Sequence, residues 1–284
     1  MSAEQKVQKT KANGITEGSI FGQLLLFFFP ILFGTFFQQL YNTADAVVVG
    51  RFVGKQALAA VGGTTSTLIN LMVGFFVGLS SGATVVISQY YGAKKADKVH
   101  WAVHTSVAFS VIGGVLFMAV GLVGARWALT AMHTPEDVMD HAVTYIRIYF
   151  LGMVPNLLYN MGAGILRAVG DSRRPLYFLI GSCFVNIILD VVLVAVLRMG
   201  VAGAALATII GQIVSGIMVI IYLTRFKTVH LTFDYLRPIP SHIKAIISLG
   251  MAPFFNQIAM MVVQIVMNNV LRYYGGQSHY GSEI

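Results

Sequence analysis

Five stretches of this chain carry no Asp, Glu, Lys or Arg: Gly22 to Ala44, Gln56 to Ala93, Val99 to Ala125, Met199 to Thr224 and Ala245 to Leu271. A bilayer crossing needs about 20 mostly apolar residues in one helix, and each of these runs is long enough. Two more runs hold one internal charge each: Val138 to Leu166 with Arg147, and Pro175 to Leu197 with Asp190. The sequence therefore predicts an all-α membrane protein with seven transmembrane helices. The first extends to about Val49 and so takes in Asp45. Gln56 to Ala93 is too long for one crossing and too short for two with a turn. It reads as one long helix with about Ser66 to Tyr90 in lipid. Composition agrees: 56% of residues are hydrophobic and 11% charged, less than half the charge of an ordinary soluble domain, about 25%.

The net charge of +8 comes from Lys and Arg dispersed between the apolar runs, not gathered on one face with aromatics between them. That pattern argues against a nucleic-acid partner and for anionic lipid headgroups as the counter-charge. Most of the basic residues fall on one side of the predicted membrane: Lys6, Lys9 and Lys11, then Lys94, Lys95 and Lys98, then Arg167, Arg173 and Arg174, then Arg225, Lys227, Arg237 and Lys244. The other side holds Arg51, Lys55, Arg126, Arg198 and Arg272. Positive residues stay inside. The expected location is a cell membrane, plasma or bacterial inner, with the N-terminus cytoplasmic and the C-terminus outside.

Enzyme signatures are missing. There is no H-E-x-x-H and no G-x-S-x-G, and Gly50 to Gln56 lacks the spacing of a phosphate-binding loop. One cysteine, Cys183, allows neither an internal disulfide nor a cysteine metal cluster. The expectation is no enzyme, no organic cofactor and no obligate protein partner.

Of the 11 acidic residues, only Asp45 and Asp190 fall within spans. A carboxylate in lipid costs about 2.5–3.5 kcal/mol on insertion scales and marks a functional site by default. Counted from the outer ends of their helices at Arg51 and Arg198, both acids lie roughly 9–12 Å below the surface. Thr208, counted from Gly200, lies at a similar depth. Asn186 is one helical turn deeper than Asp190 on the same face, and Tyr41 one turn deeper than Asp45. Independent helices thus place polar groups in one layer. Pro30, mid-span in the first helix, removes a backbone hydrogen bond and offers a hinge. Arg147 enters the fourth helix at comparable depth, as a snorkelling residue or a charge partner of the acids. His104 reads as a satisfied interior histidine, and Gly74, Gly78 and Gly82 as a close-packing stripe.

The seventh span echoes the first. Pro30 is followed after 15 residues by Asp45, and Pro253 after 15 residues by Asn268, each ahead of a basic, glycine-containing stretch. Such repeats build transporters. The repeat predicts that a second six-helix unit begins here and is cut off.

Certain segments carry a family resemblance. They are Leu40-Tyr41-Asn42-Thr43-Ala44-Asp45 with Val49-Gly50-Arg51, and Gln89-Tyr90-Tyr91-Gly92-Ala93. Leu166 to Pro175, Asn186-Ile187-Ile188-Leu189-Asp190, and Gly200 to Thr208 follow in order. Over nearly the whole chain these resemble the multidrug and toxic compound extrusion (MATE) family. The resemblance implies two six-helix lobes and antiport of drugs or toxic metabolites against protons or sodium. It implies a cation-coupling network on Tyr41, Asp45, Asn186, Asp190 and Thr208, with Pro30 as hinge. It departs from a branch that places an acid in the seventh helix, which here offers only Asn256, Gln257, Gln264, Asn268 and Asn269.

The expected organisation is a cytoplasmic polar tail (1–21), an N-terminal six-helix lobe (22–225), a basic cytoplasmic linker (226–244), and the first helix of a truncated second lobe with an external loop (245–284). The expected function is a proton- or sodium-coupled antiporter for small molecules, amphipathic or cationic in character. Sodium would be held at Asp45 and Asp190. The rivals are a lipid-linked saccharide flippase of a related export superfamily and an inactive membrane fragment of an interrupted transporter.

Overall fold

A computed structural model describes residues 20–132, 134–225, 231–232 and 235–275. The expected tail up to residue 19, linker residues 226–230 and 233–234, the loop from 276 onward, and the side chains of Gln264, Asn268 and Asn269 lie outside the described residues. The helices run in the order α1 (Ile20–Phe52), α2 (Lys55–Gly62), α3 (Thr64–Gly92), α4 (Ala96–Ala131), α5 (Glu136–Leu151), α6 (Met153–Ala168), α7 (Arg173–Asp190), α8 (Gly200–Arg225) and α9 (Pro240–Gly275). A π-helical stretch, Val191–Val196, continues α7. No strand occurs among the described residues.

Six segments have the length and apolarity to cross a membrane: Phe21–Phe52, Lys55–Gly92, Ala96–Ala131, Arg173–Val196, Gly200–Arg225 and Pro240–Met260. Their outward faces are apolar and exposed. Leu24, Phe28, Leu32 and Phe36, spaced four apart on α1, are each about half exposed or more, as are Ile112, Leu116, Val120, Val123 and Trp127 on α4. In water that surface would be untenable; against lipid it is the normal covering of a multi-pass protein.

Two expected continuous helices are broken. Gln56 to Ala93 divides at Gly62-Gly63 into α2 and α3, where Gly63 has φ −85° and ψ −125° and no longer follows a helical path. The fourth run, Val138 to Leu166, divides at Gly152 into α5 and α6. Pro155 has no N–H to offer the Leu151 carbonyl, so the ladder cannot run through. Gly152 N–H turns back to the Tyr149 carbonyl at 3.0 Å instead. A side chain at 152 would also strike Gln212 and Ile209 of α8.

The glycine stripe seats α9. A β-carbon at Gly78 would come within 2.7 Å of the Gly250 carbonyl oxygen, and one at Gly82 within 2.1 Å of the Ile246 oxygen. Backbone-to-backbone approach of this kind is what small residues at every fourth position allow. At the other end of α4, two side chains hold the segment leading to α9. Thr105 Oγ1 donates to the Arg237 carbonyl at 3.1 Å, and His104 Nε2 accepts the Thr232 N–H at 3.0 Å. His104, fully buried, places Nδ1 2.8 Å from the His100 carbonyl. It is the satisfied interior histidine expected from the sequence.

The apolar core falls into two clusters. One gathers Val49, Leu129, Ile146, Met153, Leu157, Val194 and Val201; the other gathers Leu79, Ile87, Val103, Met161, Ile165, Leu166 and Leu223. Along α8, Thr208, Gln212 and Ser215 fall between Ala205 of the first cluster and Val219 of the second.

Candidate functional site

Three helices bring the two buried acids together. Asp45, on α1, is 5% exposed, and Asp190, the last residue of α7, is fully buried. Their carboxyl groups are buried neighbours, close enough to interact electrostatically. Two neighbouring ionised carboxylates repel each other, so their proximity favours a proton or a cation at the pair. Thr208 on α8, 3% exposed, donates Oγ1–H to Asp45 Oδ2 at 3.2 Å, and Asn186, 2% exposed, stands beside the same carboxylate.

The acceptors are not satisfied. Asp45 Oδ1, both Asp190 oxygens, and both amide atoms of Asn186 are buried without a hydrogen-bond partner. Buried polar atoms are normally paired, and a cluster of orphaned oxygens calls for an ion or water. Hard oxygen donors on Asp45, Asp190, Asn186 and Thr208 have the chemistry to replace part of the hydration shell of a monovalent cation. The described residues contain no cluster of three or more His, Cys, Asp or Glu fit for a metal ion.

The helix geometry next to Asp190 is special. After it the backbone widens into a π-helical stretch, with Leu197 N–H bonding to the Val192 carbonyl at 2.9 Å. Such turns recur at functional sites. Hydropathy carries no sign of it. Tyr145 and Tyr149 of α5, both buried, also lie within electrostatic range of Asp45, and hydropathy does not mark them. Their rings stack 6.3 Å apart, and both lie close to Asp45. Their spacing of four on one helix face is the signal that was there to read.

Tyr41, half-buried, lies close to Asp45 on α1, as its spacing implied. Pro30 lies inside the unbroken α1 and about 22 Å along the axis from Asp45, remote from the acids. Arg147 is not brought to the acids. It is exposed on α5, two residues from both Tyr145 and Tyr149, and therefore on the opposite face of that helix. As a charge partner of the acids it is corrected by this geometry.

Directly beside the acid pair is a polar cavity of about 60 Å³. Asn186 and Thr208 form part of its wall, with Gln38, Asn156, Asn160 and Gln212 among the other polar residues. Its lining contains no Lys or Arg.

The MatE family model matches residues 30–192. The chain is 30% identical over 269 residues to the probable multidrug resistance protein YoeA of Bacillus subtilis, covering 92% of this chain and 58% of that protein. It is 26% identical over 261 residues to the multidrug export protein MepA of Staphylococcus haemolyticus, covering 91% and 57%. Among solved structures it is similar to a multidrug resistance MATE family transporter of the MOP superfamily in its outward-facing conformation. That match has a TM-score of 0.83 and 26% identity, over 90% of this chain and 56% of the other. The chain thus spans less than three-fifths of the length of each of these proteins.

Proposed function

The chain belongs to the MatE family, and from that premise we propose that it serves as the cation-coupling part of a multidrug efflux antiporter. Residues 22–225 act as one lobe and α9 as the first helix of a second. A proton or sodium ion loads at Asp45 and Asp190, with Asn186, Thr208 and Tyr41 around it, and its binding energy drives export of an amphipathic or cationic molecule. The N-terminal side faces the cytoplasm.

One observation carries this reading: two neighbouring buried carboxylates, with three of their four oxygens lacking a hydrogen-bond donor, inside membrane-spanning helices. A purely structural acid pair would have its oxygens satisfied, because an unpaired buried charge costs several kcal/mol. Ion loading changes the net charge of the layer by one, and α1 is the element free to respond. It joins the lobe chiefly through α7, carries Asp45, and lacks one backbone hydrogen bond at Pro30. A charge change at one end of a helix with a missing backbone bond can bias its bend.

The test uses the protein reconstituted in lipid vesicles. Dye efflux is followed against imposed sodium and pH gradients. Wild type should respond to at least one gradient and Asp190→Asn to neither. Equal pumping by both would exclude the acid pair as the coupling site.

A further inference from the structure

Asn186 belongs to two places at once. It stands beside the Asp45 carboxylate, and it forms part of the wall of the 60 Å³ cavity. Its side chain is 98% buried by its 2% exposure, yet neither Oδ1 nor Nδ2 has a partner. Gly211 on α8 is what lets it sit there. A β-carbon at 211 would lie 3.3 Å from Asn186 Cβ, so the two helices meet almost backbone to backbone at this point.

An amide has a donor end and an acceptor end, and rotation by half a turn exchanges them. With no ion present, the electron-rich acids favour the Nδ2 donor turned toward them. Oδ1, an acceptor, then faces the cavity. With a cation between the acids, Oδ1 is drawn to the ion as a ligand, and the donor Nδ2 faces the cavity. The cavity has room for a few waters or for the polar head of a larger molecule.

Resting on the acid-pair reading above, we propose that Asn186 is a two-position switch: ion loading reverses the hydrogen-bonding polarity of the cavity wall, so that the ion-free cavity selects molecules whose polar head donates a hydrogen bond. An ammonium that still bears an N–H meets Oδ1 in the ion-free state and is opposed by Nδ2 once the ion arrives. Exchange of ion for substrate then follows without direct overlap of the two. A quaternary ammonium of the same charge has no hydrogen to give and escapes this selection. The specificity class is therefore an amphipathic cation with a protonated amine head.

The experiment uses two dansyl dyes that differ only in the head, dimethylammonium or trimethylammonium, with the full chain in lipid nanodiscs at neutral pH. Binding is read from dansyl fluorescence. In sodium-free buffer, wild type should bind the dimethylammonium dye about tenfold more tightly, the effect of one hydrogen bond to a charged group. Saturating sodium, or acid where the proton is the ion, should abolish that preference. Asn186→Leu should bind the two dyes equally under all conditions. Asn186→Asp, which as a carboxylate at neutral pH keeps an oxygen toward the cavity and presents no donor, should retain the preference in saturating sodium. Equal binding of the dyes by wild type, or a preference that survives in Asn186→Leu, overturns the switch. If the preference depends on Asn186 but neither sodium nor acid alters it in wild type, the acid-pair reading itself fails, and the switch with it.

Discussion

Thr208 Oγ1 lies 3.2 Å from Asp45 Oδ2 and 3.1 Å from its own helix's Ala204 carbonyl. One hydroxyl hydrogen serves both acceptors, so the Asp45 carboxylate, 5% exposed, receives only part of a hydrogen bond. Its neighbour Asp190 receives none. In a low-dielectric interior that shortfall is costly, and under the proposed function a proton or sodium ion would offset it.

Removing the one donor should therefore be felt. Thr208→Val deletes the hydroxyl at nearly constant volume and should lower stability in detergent by about 1–3 kcal/mol, the cost of stranding a buried acceptor. Thr144→Val, whose hydroxyl bonds the Asp140 carbonyl on an exposed face of α5, should stay within about 0.5 kcal/mol. Thermal unfolding of the two variants side by side checks the difference. Equal effects would mean that the Asp45 contact has no energetic weight.

Much of the architecture was legible in the sequence because charge-free runs report the lipid directly. The same logic located the acids, since Asp45 and Asp190 stand out only against so apolar a background. What hydropathy cannot read is continuity of the backbone. Gly62-Gly63 and Gly152 are as apolar as their neighbours, so both breaks were invisible to it, although Pro155 three residues beyond Gly152 was a usable sign. The π-helical turn after Asp190 has no compositional mark at all. Depth left Arg147 two roles, snorkelling or pairing with the acids; angle around the helix separates them, because a residue two positions from Tyr145 and Tyr149 faces away from both.

The α3–α9 contact depends on the absence of side chains. Gly82→Ala places a β-carbon 2.1 Å from the Ile246 carbonyl oxygen, a backbone atom that cannot step aside cheaply. A destabilisation of about 1–3 kcal/mol is expected. Gly92→Ala, where a β-carbon meets nothing within 4 Å, is the matched control and should be near neutral. Cysteine cross-linking between positions 75 and 254, where the ring centroids of Phe75 and Phe254 lie 5.0 Å apart across the α3–α9 contact, reports whether α9 has moved; loss of the cross-link in Gly82→Ala alone is the expected result.

The segment before α9 is held through His104. His104→Leu removes the acceptor of the Thr232 N–H, and hydrogen exchange at Thr232 should accelerate by about tenfold or more, the loss of one buried backbone bond. Thr105→Val, which removes the bond to the Arg237 carbonyl, should loosen the segment further along. Unchanged exchange at Thr232 in His104→Leu would show that packing alone holds it.

Pro30 sits in an otherwise continuous helix of 33 residues. Pro30→Ala restores a donor for the Leu26 carbonyl and should stiffen α1. Ion binding at the acids, about 22 Å away along the axis, should be unaffected. Spin labels at Phe21 and Tyr177, both exposed, read the distance between α1 and α7. An ion-dependent change in wild type that is lost in Pro30→Ala identifies the hinge; a change of equal size in both chains places the bend elsewhere.

The most direct measurement is the melting temperature of the chain as sodium is added and, separately, as pH is lowered, for wild type and Asp190→Asn. A ligand that binds only the folded site stabilises it by RT ln(1 + [L]/Kd), about 2.7 kcal/mol at a hundredfold excess over Kd. Wild type is expected to gain stability from sodium, from acid, or from both. Asp190→Asn, which keeps the shape of the side chain but breaks the acid pair, is expected to lose that response. If wild type and Asp190→Asn respond equally to both titrations, Asp45 and Asp190 do not hold the ion.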